Sequence, residues 1–281
     1  MHTIQLSPEQ LPEFTQLFPE IHRLKTASEY EFGRYKIGRA LVVIYNSGKV
    51  VFSEKPEGEM RNKIIEFITS RDGFDGPVIG SDEAGKGELL GPMVVAAVLL
   101  RTPEDRALAR FCGVMDSKEL SRGQLAEVSR IARTYPYAVR VLSPRDFNEK
   151  FRSGNLNDLL TEMHASAISK LLEKIDTNEK CTVIIDKFGS KRNDLKLEEA
   201  LKQAHLNINI ITTTRAERFE SVAAASIIAK SEYEKWLASY ETSEKINIRK
   251  LTKDKIAVHR KRNEFCKVSY LTGYKEGKSI G

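Results

Sequence analysis

Eight consecutive apolar residues, Met93–Leu100 (Met-Val-Val-Ala-Ala-Val-Leu-Leu), constrain this chain more than any other stretch. A run so short, with no polar residue on either alternating face, reads as a strand buried on both faces. Val78 and Ile79 open a preceding strand, and Gly85, Gly87 and Gly91-Pro92 mark the turn between them, so the two are expected to pair as a hairpin. Asp82 and Glu83 then stand at its tip.

Neighbouring strand residues point to opposite faces. If both acids serve one site, the backbone is expected to leave the pleat right after Asp82, which the following glycines permit. Two carboxylates this close repel unless one is protonated or a cation neutralises them, and a hard divalent ion such as Mg²⁺ is the economical solution. A solvated turn is the alternative for the pair taken alone. Residues 80–87 also approach the phosphate-loop pattern G-x-x-x-x-G-K-[ST], but Gly87 occupies the hydroxyl position and the two acids would lie inside the phosphate cradle.

A chain of 281 residues, 41% apolar and 30% charged, has ample material for one large domain or two unequal ones. No apolar run approaches the length of a membrane span and the N-terminus lacks a signal-peptide core, so a cytoplasmic location is expected. Cys112, Cys181 and Cys266 form no C-x-x-C pair and indicate neither a zinc site nor a disulfide framework. The net charge of +6 is uneven: from Lys245 onward there are 11 Lys and Arg against 3 acids, which leaves the rest of the chain at −2. A cationic tail on a near-neutral body suits a polyanion, with a solvated helix face as the alternative.

Residues 1–72 read as a small unit of their own. A helix is expected at 7–17, β-rich runs at 35–45 and Lys49–Phe52 around Asn46-Ser47-Gly48, and a helix at 60–70, with 71–76 as the linker. Tyr30, Phe32 and Tyr35 interleave with Arg34, Lys36 and Arg39, a pattern that serves either nucleic-acid stacking or a core. From residue 77 onward strands and helices alternate. Helices are expected at 122–134, at 156–175 with Asn155 as cap, at 194–204, at 217–240 and, in the basic tail, at 251–267. Strands are expected at 137–141, Cys181–Asp186 and Ile208–Thr213. This predicts an α/β fold, a sheet covered on both faces with ligands at the strands' C-terminal ends. Asp186 ends one strand, and Glu217 precedes a small-residue helix, Val222-Ala-Ala-Ala-Ser226-Ile-Ile-Ala229; a cap and a helix-dipole role are the structural alternatives for the two.

Taken in order, Asp82-Glu83-Ala-Gly-Lys-Gly with Gly91-Pro92, Asp116-Ser117-Lys118-Glu-Leu120, Asn155-Leu-Asn157, Ile185-Asp186 and Ala216-Glu217 before the Ala-Ala-Ala-Ser-Ile-Ile-Ala helix resemble the type 2 ribonucleases H. The resemblance covers 77 to about 240 and points to the ribonuclease HIII branch. It implies a ribonuclease H-like catalytic domain at 77–281, a mixed sheet with helices on both faces, preceded at 1–72 by a small α+β domain resembling half of the TATA-binding protein fold. It also implies hydrolysis of the RNA strand of RNA/DNA hybrids, with two Mg²⁺ ions, or Mn²⁺ as substitute, held by Asp82, Glu83, Asp186 and Glu217; nothing in the sequence suggests more than a monomer. Glu220 is the weaker candidate for the fourth acid. Gly85, Lys86, Gly87, Ser117, Lys118 and Asn155 are implied as substrate contacts, and the N-terminal domain is expected to hold the hybrid. The Lys-Gly-Tyr-Gly-Thr type segment of the HII branch has no counterpart, so incision at a single embedded ribonucleotide is the lesser alternative. A binding module without catalysis is another, and four retained acids speak against it.

Overall fold

The structure is a computed structural model that describes residues 1–114, 122–152, 155–271, 274–275 and 278–279. Two five-stranded sheets organise it. In the N-terminal unit, β1 (His2–Gln5), β2 (Arg23–Leu24), β3 (Glu31–Ile37), β4 (Ala40–Tyr45) and β5 (Lys49–Phe52) form an antiparallel sheet in the order β1-β5-β4-β3-β2. The first β-rich run is two strands rather than one, because Gly38 at φ +58° turns the chain between Ile37 and Ala40. A short helix, α1 (Leu11–Phe14), between 3₁₀ turns replaces the expected helix at 7–17, and α2 (Gly58–Thr69) closes the unit. Ile4, Tyr35, Val42, Ile44, Val50 and Phe52 pack under α1 and α2.

The second sheet has the order β10-β9-β6-β7-β8, formed by β6 (Val78–Ala84), β7 (Met93–Leu100), β8 (Tyr137–Leu142), β9 (Cys181–Asp186) and β10 (Ile208–Thr213). The β6-β7-β8 part is antiparallel and β6-β9-β10 parallel, so the sheet is mixed. All eight β7 side chains are fully buried, as their apolar run requires. Alternation along the strands sorts the two faces. Ile79, Val95, Ala97, Val183 and Ile185 meet α5 (Pro144–Lys150), α6 (Leu156–Leu172) and α7 (Lys191–Ala204). Val94, Ala96, Val98 and Leu100 meet α3 (Pro103–Phe111), α4 (Arg122–Ala132) and α8 (Glu220–Glu244) on the other face. The small side chains Ala223, Ala224 and Ala225 let α8 lie close to the sheet.

The tail departs from expectation. Instead of one helix at 251–267 it forms α9 (Lys253–Ala257) and α10 (Arg262–Phe265). Gly91 donates to the Phe265 carbonyl at 2.8 Å and Lys267 N to Leu89 O at 2.9 Å, so pairing with the loop before β7 draws the chain out of the helix. Several tail cations are spent internally: Lys267 is fully buried, with Nζ donating to Glu88 O and Gly91 O at 2.9 and 2.8 Å, and Arg249 pairs with Glu234 and Glu241.

The two units share α3. Its Ala107 and Phe111 belong to the N-terminal core and its Ala109 to the sheet beyond. Arg106, 2% exposed, grips the linker by a two-pronged ion pair with Asp72 and by bonds to the carbonyls of Phe74, Gly76 and Leu100. Among the described residues no helix is long and apolar enough to cross a membrane.

Candidate active site

The acids do not leave the pleat as expected. β6 stays paired with β7 through Asp82↔Ala96, Glu83↔Val95 and Ala84↔Val94, so Asp82 and Glu83 point to opposite faces. On the α8 side Gly80 is the device that sets the depth: a Cβ there would lie 2.2 Å from Ser221 C and Val222 N, so helix backbone rests on strand backbone. From Ser221 to Ser226 the helix climbs about 7.5 Å, close to the roughly 6.6 Å that the strand advances from Gly80 to Asp82. The Ser226 hydroxyl therefore meets the Asp82 carboxylate.

The pairing of β6 with β9 ends at Ser81↔Ile185. One residue further, Asp82 and Asp186 stand level on neighbouring parallel strands and share the α8 face. Burial, and then the like charge of Glu83 with a smaller share from Asp186, push Asp82 up to about 7 from its ordinary 3.8. Asp186 Oδ1 accepts from Ala216 N at 2.9 Å, which fastens the turn carrying Glu217 to the end of β9. Arg215 takes a left-handed backbone at φ 58° and residues Ala216–Arg218 form a 3₁₀ turn, so α8 starts at Glu220 rather than at 217. Glu217 lines a cleft of about 730 Å³ between this turn, α3 and the N-terminal unit. Glu220 is buried and clamped by two of the three Arg110 guanidinium nitrogens, Nε at 2.6 Å and Nη2, which gives it a structural role at the helix start.

Glu83 is held on the other face. Ser81 Oγ lies 2.8 Å from His164 Nδ1, and His164 Nε2 lies 3.3 Å from Glu83 Oε2 in a bent contact that leaves neither atom with a well-directed hydrogen bond. The His164 ring is fully buried and stacks on Phe188 at 4.7 Å and 7°. Lys86 Nζ stands 3.4 Å from Glu83 Oε1 and donates to Phe188 O at 3.2 Å. Burial would raise Glu83, but His164 and Lys86 outweigh it and hold the carboxyl below its ordinary value. Sequence reasoning missed His164, although a histidine among Leu160, Ala167, Ile168 and Leu171 on the apolar face of α6 was a visible signal.

Gly85 is indispensable to this loop, at φ +81° with Pro92 O only 2.2 Å from where a Cβ would stand, whereas Gly87 faces open space. Asn155 is exposed and its Oδ1 caps α6, accepting from Asn157 N and Asp158 N. Ser117 and Lys118 lie outside the described residues. Of the aromatic residues in the N-terminal unit, Tyr35 is core and stacks on Phe18, while Tyr30 and Phe32 are exposed.

Among the described residues no group of three or more His, Cys, Asp or Glu is drawn together tightly enough to hold a metal ion. The structure brings Asp82 and Asp186 side by side, with Glu83 next along the strand. An all-oxygen donor set in which burial and like charge raise the proton affinity of Asp82 fits a hard divalent cation.

Residues 79–262 match the family model described as Ribonuclease HII. Ribonuclease HII of Methanocaldococcus jannaschii is 33% identical over 174 residues, covering 58% of this chain and 75% of that one. Ribonuclease HIII of Enterococcus faecalis is 28% identical over 248 residues, covering 83% and 80%. Among solved structures, Bst-RNase HIII in complex with Mn²⁺ aligns over 95% of both chains at 22% identity, TM-score 0.62. The RNase HII of the Archaeoglobus fulgidus PCNA:RNase HII complex aligns over 59% of this chain and 77% of that one at 31% identity, TM-score 0.51.

Proposed function

The chain belongs to the ribonuclease HII family, most like its HIII members, and we propose on that premise that it is an endoribonuclease cutting the RNA strand of RNA/DNA hybrids with divalent cations. The observation that carries the reading is Asp82 and Asp186, level on adjacent strands at the sheet's C-terminal edge, under mutual charge repulsion.

Asp82, Glu83, Asp186 and Glu217 are the proposed ligands of Mg²⁺, or Mn²⁺ in its place. When bound, such ions would supply activation of water for in-line attack on the phosphodiester and stabilisation of the departing 3′ oxygen, so that the products would carry 5′-phosphate and 3′-hydroxyl ends. Asp82 and Asp186 supply anionic oxygens on one face of the sheet. Glu83 reaches the same edge from the other face, pre-oriented by His164 and Lys86. The loop Gly85-Lys86-Gly87 offers backbone N–H groups and one cation to the RNA backbone, with Ser117, Lys118 and Asn155 as further phosphate or sugar contacts. RNA is told from DNA through 2′-hydroxyl contacts, and phosphate contacts carry no base information. The exposed side of the N-terminal sheet, with Phe32 and Lys36, holds the hybrid. The reading includes a monomer working in the cytoplasm.

Cleavage of a labelled hybrid with and without chelator tests it: Mg²⁺-dependent cutting of the RNA strand is expected, and hybrid binding without such cutting refutes it. Asp82→Asn should abolish turnover, and near-normal cleavage by that variant removes the central assignment. Phe32→Ala with Lys36→Ala should raise KM more than it lowers kcat.

A further inference from the structure

A second cationic feature lies at the same end of the sheet and takes no part in the site above. α5 and the segment joining α9 to α10 face each other across a groove of about 370 Å³. Four cations line it, Arg145, Arg152, Arg260 and Lys261, against two acids, Glu149 and Glu264. Lys261 is matched by Glu244. Arg145, Arg152 and Arg260 are exposed and make no ion pair with any described residue.

The walls of the groove are pinned. Asn148 Nδ2 donates to Cys266 O at 2.8 Å and its Oδ1 accepts from Val268 N at 2.8 Å, tying α5 to the chain beyond α10. Beneath, Phe147 is fully buried, stacked on Phe151 and edge-on to Tyr270. Tyr270 Oη in turn donates to Lys86 O at 2.7 Å, inside the loop that follows Asp82 and Glu83. The register fixes the direction. Leu142, the last residue of β8, pairs with Met93, one residue beyond the Ala84↔Val94 pair. α5 therefore begins level with Gly85 and two strands away, about 10 Å across the sheet.

We propose that Arg145, Arg152 and Arg260 form a second anchorage for nucleic-acid phosphates, gripping the hybrid's backbone beside the carboxylate edge. Planar guanidinium forks suit phosphate oxygens better than lysine does, and here three of them stand uncommitted on a pinned frame. A duplex placed on Lys86 and the acids passes over this groove, which favours phosphodiester over an acidic polypeptide as occupant. The inference rests on the functional reading above.

The test uses the full chain with Arg145→Gln, Arg152→Gln and Arg260→Gln combined. All three are exposed, so the thermal midpoint should match that of the unsubstituted protein. Binding of a long hybrid should weaken, with the slope of log Kd against log salt smaller by about 2 to 3, near one for each lost phosphate contact. KM should rise roughly tenfold with kcat held within about twofold. An unchanged slope and KM, or a fall in kcat alone, overturns the proposal. So does the outcome in which the variant grips hybrid normally but loses affinity for poly-glutamate that the unsubstituted protein binds. If the unsubstituted protein does not cleave hybrid at all, the functional reading falls, and the salt slope of binding alone then decides the groove.

Discussion

Asp82→Asn should stabilise the protein while disabling it, and the gain should depend on pH. The folded chain holds the Asp82 proton up to about pH 7, whereas the unfolded chain releases it near 3.8. Between those values the unfolded state binds fewer protons, so stability falls as pH rises, and above about 7 the full cost of the buried charge is present. That gap corresponds to about 4 kcal/mol at roughly 1.4 kcal/mol per pH unit. Asp82 is not fully buried, and solvent screening reduces the expected value to about 2–4 kcal/mol. Asparagine keeps the oxygen that accepts from Glu83 N, at 2.8 Å in the parent, and carries no charge. Urea unfolding in the presence of a chelator should show the variant equal to the parent at pH 4 and more stable by that amount at pH 8. Added Mg²⁺ should narrow the difference, because a cation favours the ionised carboxylate. A variant no more stable at pH 8, or stabilised equally at both pH values, refutes the reasoning.

His164→Leu removes the ring that faces the Glu83 carboxylate and takes one of its two partners from Ser81 Oγ, which keeps only Ala96 O at 2.8 Å. A loss of about 3 kcal/mol is expected in urea unfolding, and less for His164→Gln, which retains a donor. Glu83's contribution is present above its unfolded pKa and lost as pH falls through its lowered folded value, so the acid-side decline should move to higher pH in His164→Leu. Gly80→Ala forces a methyl into the Ser221–Val222 backbone and should cost about 3 kcal/mol, read as a lowered thermal midpoint. A variant of normal stability would show that α8 does not press on β6. Arg106→Leu strands Asp72 and three carbonyls and should cost about 3–5 kcal/mol, with limited proteolysis appearing at 71–76.

Much of this architecture was legible because its signals are local. The apolar run Met93–Leu100, Cys181–Asp186 and Ile208–Thr213 appear as strands at the expected bounds, and Asn155 caps α6. Two helices were passed over although their signals stood in the chain: Thr102-Pro-Glu-Asp105 and Ser143-Pro-Arg-Asp146 each place a hydroxyl cap before proline at the first helical position. What periodicity could not supply was long-range pairing. The tail's helical propensity yields to bonds with residues 88–91, and β6 continues through both acids because β7 is there to pair with. The departure from the pleat expected after Asp82 does not occur: β6 stays paired with β7 through Ala84, while β9 stops pairing with β6 at Ile185. His164 was missed because a histidine's role depends on what faces it, and Ser81 and Glu83 on β6 and Phe188 beyond β9 come from two other parts of the chain.

Because α3 lends Phe111 and Ala107 to one core and Ala109 to the other, the seam between the units runs through a helix, not through the linker at 71–76. Cutting the gene at that linker would strip an aromatic plug from the small unit and leave it bare on the large one. Heat should therefore melt the molecule as a single cooperative block, and under the hybrid-holding role proposed for the N-terminal sheet the span from that sheet to the acids would act as a fixed caliper, setting a minimum length of duplex able to touch both jaws.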